Sequence, residues 1–187
     1  MKRVAYLFWV IGILHVFGQY TNQELLTTYT KPMLVPLLAV FYYNKQAERL
    51  FLIALGCSWL GDLFLMGEGR LFFLSGIFSF WGAQLCYLYL INKEVQLPFK
   101  KRLFSKEALL PLILFGSYFV GTMSLLGVKL GMLTFPVSGY AFTLAIIGAT
   151  SMLLWIKKKS SSTRALFFGV LLFIISDSMI AFNTFYF

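Results

Sequence analysis

Apolar residues occur along this chain in long stretches that only short polar segments interrupt. The stretches are too long for β-strands and match the roughly 20 apolar residues that a transmembrane helix needs. The predicted spans are 4–20, 31–43, 50–66, 71–91, 108–126, 132–156 and 165–187. The second span is short for a bilayer core about 30 Å thick, so we expect it either to begin earlier, within 25–29, or to be partly re-entrant.

The composition agrees with this pattern. Of the 187 residues, 59% are hydrophobic and only 12% are charged, whereas an ordinary soluble domain is about a quarter charged. A soluble core is therefore excluded, and seven helices use nearly the whole length. We predict an all-α, polytopic transmembrane helix bundle that forms a single domain over residues 1–187.

The basic residues, which give a net charge of +9, predict an orientation. When they are assigned to alternating sides of the membrane, 13 of the 16 fall on one side and only Lys31, Arg70 and Lys129 on the other. The positive-inside rule then places the N-terminus in the cytoplasm and the C-terminus outside. Because the basic clusters 100–102 and 157–159 suit anionic lipid headgroups, we expect membrane lipids as partners and no nucleic acid.

The only two aspartates, Asp62 and Asp177, both lie within predicted spans, where an ionised carboxylate costs at least about 2.5 kcal/mol. Each follows the start of its span by 12 residues, or roughly 18 Å of helix, and the two spans run in the same direction. The carboxyls can therefore share one level in the outer half of the bilayer if the spans are neighbours. Two close carboxyls do not both ionise easily, which would provide an acid and a base. Alternatively, each Asp only bonds polar groups of an adjacent helix.

Three further polar residues bear on the chemistry. Lys31 and Tyr140 each have two interpretations, and His15 limits the kinds of metal site. Lys31 opens the second span and is either a snorkelling anchor or a counter-charge for an aspartate or a lipid phosphate. Tyr140 lies near the depth of the aspartates, where its hydroxyl either orients water or substrate or simply packs. His15 is the sole histidine, which argues against a metal site built from several histidines. We expect no metal ion.

The order and spacing of several short segments resemble the lysoplasmalogenase family, also called YhhN-like, of multi-span membrane proteins. The segments are Thr30-Lys31-Pro32, 60–66 around Asp62, 73–87 with Gly76 and Phe80, 136–140 ending at Tyr140, and 173–183 around Asp177. The sequence departs from the family pattern in two ways. Gln84 stands where the family typically has a histidine, and Gln cannot shuttle a proton near neutral pH. The usual eighth helix is also absent, which implies either a seven-span member or a truncated sequence.

The resemblance implies hydrolysis of the vinyl-ether bond of lysoplasmalogens, which releases a fatty aldehyde and a glycerophospho-alcohol. It implies a lysophospholipid-type substrate and no cofactor, in a multi-pass protein that we expect in a bacterial cytoplasmic membrane. Vinyl-ether hydrolysis needs a proton on the alkene carbon and then water on the oxocarbenium ion. We predict Asp62 and Asp177 as the acid/base pair, without choosing which is which, and four substrate-binding residues: Lys31, Tyr140, Gln84 and Asn183.

Two other functions use the same residues differently. A small transporter or proton-coupled carrier would bind a proton or cation at the aspartate pair. An inert scaffold for other membrane proteins would need neither aspartate for chemistry. Release of free aldehyde from a lysoplasmalogen separates the enzyme from both alternatives. The sequence gives no prediction of the oligomeric state.

Overall fold

Within the residues that the structure describes, seven α-helices correspond one to one with the seven predicted spans. A computed structural model describes residues 2–45, 48–95 and 105–185. The helices are α1 Lys2–Tyr20, α2 Glu24–Tyr43, α3 Arg49–Phe64, α4 Arg70–Val95, α5 Lys106–Leu130, α6 Thr134–Lys158 and α7 Ser161–Phe185, with a 3₁₀ turn Gly131–Leu133 between α5 and α6. The prediction of an all-α fold is confirmed.

The lengths and composition of the helices fit a membrane protein. Among the described residues, α2, α4, α5, α6 and α7 are each long and apolar enough to cross a membrane. The other two, α1 and α3, have 19 and 16 residues. Apolar side chains such as Trp9, Leu71 and Phe135 are largely exposed at the surface, as expected where lipid replaces water. The predicted polytopic membrane bundle is therefore confirmed.

The helix boundaries differ from the predicted spans by a few residues. The earlier start foreseen for the second span is confirmed, since α2 is one continuous helix from Glu24 and its 20 residues extend about 30 Å. The fifth helix continues past the predicted end to Leu130, where Gly131 takes a φ of +53° that few other residues adopt. The basic cluster 100–102 and the terminal residues 186–187 lie outside the described residues.

The chain divides into two compact units, residues 1–86 and 87–187, and the division falls within α4. In the first unit, α2 packs against both α1 and α3. In the second unit, α6 packs against α5 and α7 and is the most buried of the candidate spans. The second unit also contains an ion pair, in which Lys158 Nζ donates to Glu94 Oε2 at 2.7 Å. The prediction of one domain stays a prediction.

A close approach of α3 and α4 depends on Gly61, the residue before Asp62. A Cβ at this position would lie 2.5 Å from Cδ2 of the Phe80 ring, whereas a Cβ at Gly56 on the same helix would meet nothing within 4 Å. We expect Gly61→Val to destabilise the protein by about 1–3 kcal/mol, as overpacking does. Thermal unfolding in detergent measures this, with Gly56→Val as the matched control. Equal stability of the two variants would contradict the packing described here.

Candidate functional site

Each unit places one aspartate beside a polar partner from a neighbouring helix. In the first unit, Lys31 Nζ on α2 lies 3.7 Å from Asp62 Oδ1 on α3. Both side chains are only partly exposed, at 33% for Lys31 and 26% for Asp62. An ammonium beside a carboxylate lowers the cost of holding either charge within a membrane span. The structure thus pairs Lys31 with an aspartate, and its role in the site stays a prediction.

The two prolines of α2 explain how α3 is held against it. Pro36 has no N–H, so the carbonyl of Pro32, one turn earlier, has no helical donor. The indole Nε1 of Trp59 donates to that carbonyl at 2.9 Å, which satisfies a group that would be costly to leave unpaired in lipid. Asp62 follows Trp59 by three residues and so lies on the same face of α3. The hydrogen bond therefore turns Asp62 toward α2 and Lys31.

His15 on α1 extends this cluster. Its Nδ1 lies 2.9 Å from Thr30 Oγ1, and the Thr30 hydroxyl donates its own proton to the carbonyl of Leu26 at 2.6 Å. The Thr30 oxygen must therefore accept a hydrogen bond from His15. Nδ1 of His15 then carries a proton, and Nε2 is the other ring nitrogen at which a proton can bind. His15 is close enough to Lys31 and Asp62 to interact electrostatically with both. Three titratable side chains from α1, α2 and α3 thus lie together.

In the second unit, Tyr140 on α6 is the partner of the aspartate. Its hydroxyl donates to Asp177 Oδ2 on α7. Both residues are partly buried, and Tyr140 packs on a core cluster that includes Phe115 and Ala145. A tyrosine hydroxyl with an apolar ring anchored in this way fixes the orientation of the carboxylate. Tyr140 thus combines packing with a polar contact, and its predicted role in orienting water or substrate stays a prediction.

A second hydrogen bond ties α5 to α7 next to Asp177. Tyr118 Oη and Ser178 Oγ are 2.8 Å apart, and Ser178 donates to the carbonyl of Ile174 at 2.6 Å. Because the Ser178 proton is used there, Tyr118 is the donor to Ser178. Tyr118 and Tyr140 thus donate from two helices to adjacent residues of α7, which holds this part of the helix in one register.

The two remaining predicted site residues, Gln84 and Asn183, differ in burial. Gln84 on α4 is fully buried, and neither its Oε1 nor its Nε2 has a hydrogen-bond partner in the described part of the chain. Such a buried amide costs about 1–3 kcal/mol if nothing binds it. Asn183, near the end of α7, is exposed. The predicted proximity of Asp62 and Asp177 concerns residues of different units and stays a prediction.

One family model matches residues 26–187, and its description is the YhhN family. The match covers α3 to α7 and nearly all of α2, including both aspartates with Lys31 and Tyr140. The chain belongs to the YhhN family. The resemblance drawn from the short segments is thereby confirmed, and the YhhN family includes lysoplasmalogenases. No curated protein and no solved structure matches the chain. His15 precedes the matched region.

Two residues of these clusters, His15 and Tyr118, were not among the predicted site residues. The sequence carries a signal for His15. It lies five residues before the end of α1, and Thr30 lies six residues after the start of α2, so a short turn between antiparallel helices brings both to one level. Tyr118 has no such signal, because ten tyrosines are distributed along the chain. Across residues 2–45, 48–95 and 105–185, no three His, Cys, Asp or Glu side chains form a group suited to a metal ion.

Proposed function

We propose that this YhhN family protein is a membrane-embedded lipid hydrolase that cleaves the vinyl-ether bond of lysoplasmalogens. The observation that carries the proposal is that the only two aspartates of the chain each lie in a membrane helix with a dedicated partner, Lys31 for Asp62 and Tyr140 for Asp177. Intramembrane carboxyls held in this way are expensive and usually functional. Membership of a family that includes lysoplasmalogenases supports this reaction class.

The reaction needs proton transfers that a pair of carboxyls supplies. One aspartic acid donates a proton to the alkene carbon beyond the ether-bearing carbon, which converts the vinyl ether into an oxocarbenium ion. The other aspartate accepts a proton from water as the water oxygen bonds to that cation. The resulting hemiacetal then breaks its bond to the glycerol oxygen. The aspartate that took up a proton from water gives it to that oxygen, which leaves as an alcohol, and the other aspartate takes the hemiacetal hydroxyl proton as the carbonyl of a fatty aldehyde forms. One water molecule is consumed, and the protons balance.

The partners of the aspartates suit these roles. Tyr140 fixes the orientation of the Asp177 carboxyl by donating to one of its oxygens, which suits a group that transfers a proton in one direction. Lys31 balances the charge of Asp62 or meets the phosphate of the lipid headgroup. Because both aspartates lie in membrane helices, a lipid would reach them sideways from the bilayer without leaving it.

The direct test is to incubate the purified protein with a lysoplasmalogen and to measure free aldehyde together with the water-soluble glycerophospho-alcohol. The matched substrate control is the saturated alkyl-ether analogue, which has no alkene carbon to protonate. We expect stoichiometric release of both products from the vinyl ether and none from the alkyl ether. A carrier would release aldehyde from neither and would instead change proton or cation flux across liposomes.

Gln84 provides a second test, because an amide occupies a position where the family typically has histidine. We expect Gln84→His to raise aldehyde release by about tenfold or more, at the lower end of what an added proton-transfer group contributes. Gln84→Leu is the matched control, since it fills the same buried site without a polar group and should not raise release. If Gln84→His leaves the rate unchanged, the missing histidine does not limit this chain.

A further inference from the structure

The cluster around Asp62 contains one group whose charge changes near neutral pH. His15 is the only histidine of the chain, and an unperturbed imidazole titrates at about pH 6.5, whereas lysine and aspartate change charge far from neutrality. His15 lies before the region that matches the YhhN family, and the acid/base chemistry proposed above gives it no part. Its proton is a charge that the proposed mechanism has not used.

The face of α1 that carries His15 is turned toward α2. Ile11 and Gly18, about one turn before and one turn after His15, are the buried residues of α1, and residues at these spacings share one face of a helix. A Cβ added at Gly18 would lie 3.1 Å from Cγ2 of Thr27 on α2, so the two helices approach closely there. His15 therefore lies against α2, where the buried Thr30 accepts its hydrogen bond.

The hydrogen bond to Thr30 does not depend on the charge of the ring. Nδ1 of His15 donates to the Thr30 oxygen at 2.9 Å, and Nδ1 carries a proton both in this neutral tautomer and in the imidazolium. Only Nε2 gains or loses a proton as the pH changes. His15 can therefore change its charge while its position against α2 stays the same.

The charges that face His15 are those of the Lys31–Asp62 ion pair. His15 interacts electrostatically with both groups, and Lys31 Nζ lies 3.7 Å from Asp62 Oδ1. The charged residues of α1 itself, Lys2 and Arg3, are at the opposite end of the helix, roughly 18 Å away. With a neutral imidazole the cluster holds one cation and one carboxylate. With an imidazolium it holds two cations beside that carboxylate.

We propose that His15 is a positioning residue whose charge sets the proton affinity of Asp62 and thereby makes hydrolysis depend on pH. The dependence of hydrolysis rests on the proposed function. A nearby cation favours the ionised form of a carboxyl, so a protonated His15 makes it harder for Asp62 to hold a proton. Asp62 must hold one in either role, before the alkene is protonated if it is the acid and after water has reacted if it is the base. Aldehyde release should therefore be slower when His15 is protonated.

Because the chain has a single histidine, NMR of protein labelled with ¹⁵N only at histidine observes this group alone. In the folded protein in detergent, we expect the neutral ring to carry its proton on Nδ1. Lys31→Met and Asp62→Asn should move the midpoint of the His15 titration in opposite directions by roughly half a pH unit or more, since one removes a positive and the other a negative charge. The matched control is Lys106→Met, at an exposed lysine that begins α5, which should leave the midpoint unchanged.

The coupling is reciprocal, so the displacement of the His15 midpoint in Asp62→Asn also measures what the charge of His15 does to Asp62. The rate of aldehyde release from a lysoplasmalogen, measured from about pH 5 to about pH 8 against a protein-free blank, tests the consequence. We expect the native rate to fall about tenfold as the pH decreases through the midpoint found by NMR, the effect of a nearby charge on the proton affinity of a carboxyl.

His15→Asn separates this pH effect from packing. Its side-chain amide keeps an N–H donor for Thr30 but does not titrate, so the fall in rate at the His15 midpoint should disappear from its pH profile. A purely structural His15 would lower the rate of this variant at every pH and leave the shape of the profile as it is. Thermal unfolding in detergent checks that the variant is folded.

The two measurements can fail separately. A midpoint that is the same in the native protein, Lys31→Met and Asp62→Asn, or a neutral ring protonated at Nε2, would overturn the proposal whatever the rates. If the midpoint moves as expected but the native protein releases no aldehyde at any pH, the coupling of His15 to Asp62 stands and the hydrolase proposal fails. If aldehyde forms and His15→Asn keeps the same fall in rate, another group causes it and the proposed part of His15 in hydrolysis is wrong.

Discussion

Aldehyde release from a lysoplasmalogen is expected to fall at least about a hundredfold in Asp62→Asn and in Asp177→Asn, the usual scale for losing a general acid or base. Asparagine keeps the size of aspartate and can still accept at its carbonyl oxygen, but it neither donates nor takes up a proton near neutral pH. The proposed mechanism uses one carboxyl in each proton transfer. Either substitution alone should therefore stop the reaction, and the double variant should be little worse than the single ones.

The control for this experiment is Glu68→Gln. Glu68 is exposed in the turn between α3 and α4, so it undergoes the same change from carboxylate to amide outside both clusters. Its rate should stay within about twofold of the native protein, because surface substitutions have small effects. Size-exclusion profiles and thermal unfolding must show that the Asn variants remain folded.

The same variants separate the alternatives. If native protein produces no aldehyde while proton or cation flux across liposomes changes in Asp62→Asn and Asp177→Asn, the aspartates serve a carrier. If neither activity is present in the native protein, a scaffold remains. Full hydrolysis by either folded Asn variant would exclude the acid/base mechanism even though the chain belongs to the YhhN family.

The number and kind of helices could be predicted from the sequence because lipid imposes one strong rule. Every backbone group must be paired within its own segment, so each apolar stretch of about 20 residues becomes a helix. The start of α2 was harder, because Thr27, Thr28 and Thr30 lower the hydropathy just where the helix begins. The structure shows why polar residues are tolerated there: the hydroxyls of Thr27 and Thr30 bond to helix carbonyls.

The site was only partly predictable, for a related reason. A carboxylate in a membrane span is rare enough to single out Asp62 and Asp177. Lys31 was expected as a counter-charge and Tyr140 was placed near the depth of the aspartates, but neither was assigned to a particular aspartate; those pairings come from the structure. From the sequence, His15 was considered only as a metal ligand. Its actual role depends on a hydrogen bond across the turn between α1 and α2, a tertiary contact that hydropathy does not report.

Gln84, in contrast to His15, was noticed in the sequence, but its surroundings could not be predicted. In the sequence it attracts attention only because the family typically has histidine there. The structure adds that its amide is buried and without a hydrogen-bond partner among the described residues. The burial of Gln84 does not follow from the histidine that the family has there. It depends on which face of α4 is covered, and the polar residues of this helix do not mark one face clearly. Most buried polar groups have a hydrogen-bond partner, so the predicted role of Gln84 in binding substrate stays a prediction.

A double-mutant cycle on Lys31 and Asp62 decides what Lys31 does. If Lys31 acts through the 3.7 Å ion pair, Lys31→Met should lower aldehyde release about tenfold, equivalent to ~1.4 kcal/mol and within the range of coupling energies for contacting residues. Lys31→Arg, which keeps the charge, should retain most of the rate. In the Asp62→Asn background the Lys31→Met change should then have almost no further effect, because its partner carboxylate is already gone.

A contact between Lys31 and the lipid phosphate gives a different pattern. The Lys31→Met and Asp62→Asn losses would then multiply, because the ammonium would act on the substrate rather than on the aspartate. The Lys31→Met loss would also appear mainly as a higher KM, since binding to a headgroup that does not react is the same in the ground state and the transition state. Rates measured over a range of lysoplasmalogen concentrations, for the four proteins of the cycle, distinguish the two patterns. Independent losses with an unchanged KM would fit neither role and would leave Lys31 as a snorkelling anchor whose removal disturbs α2.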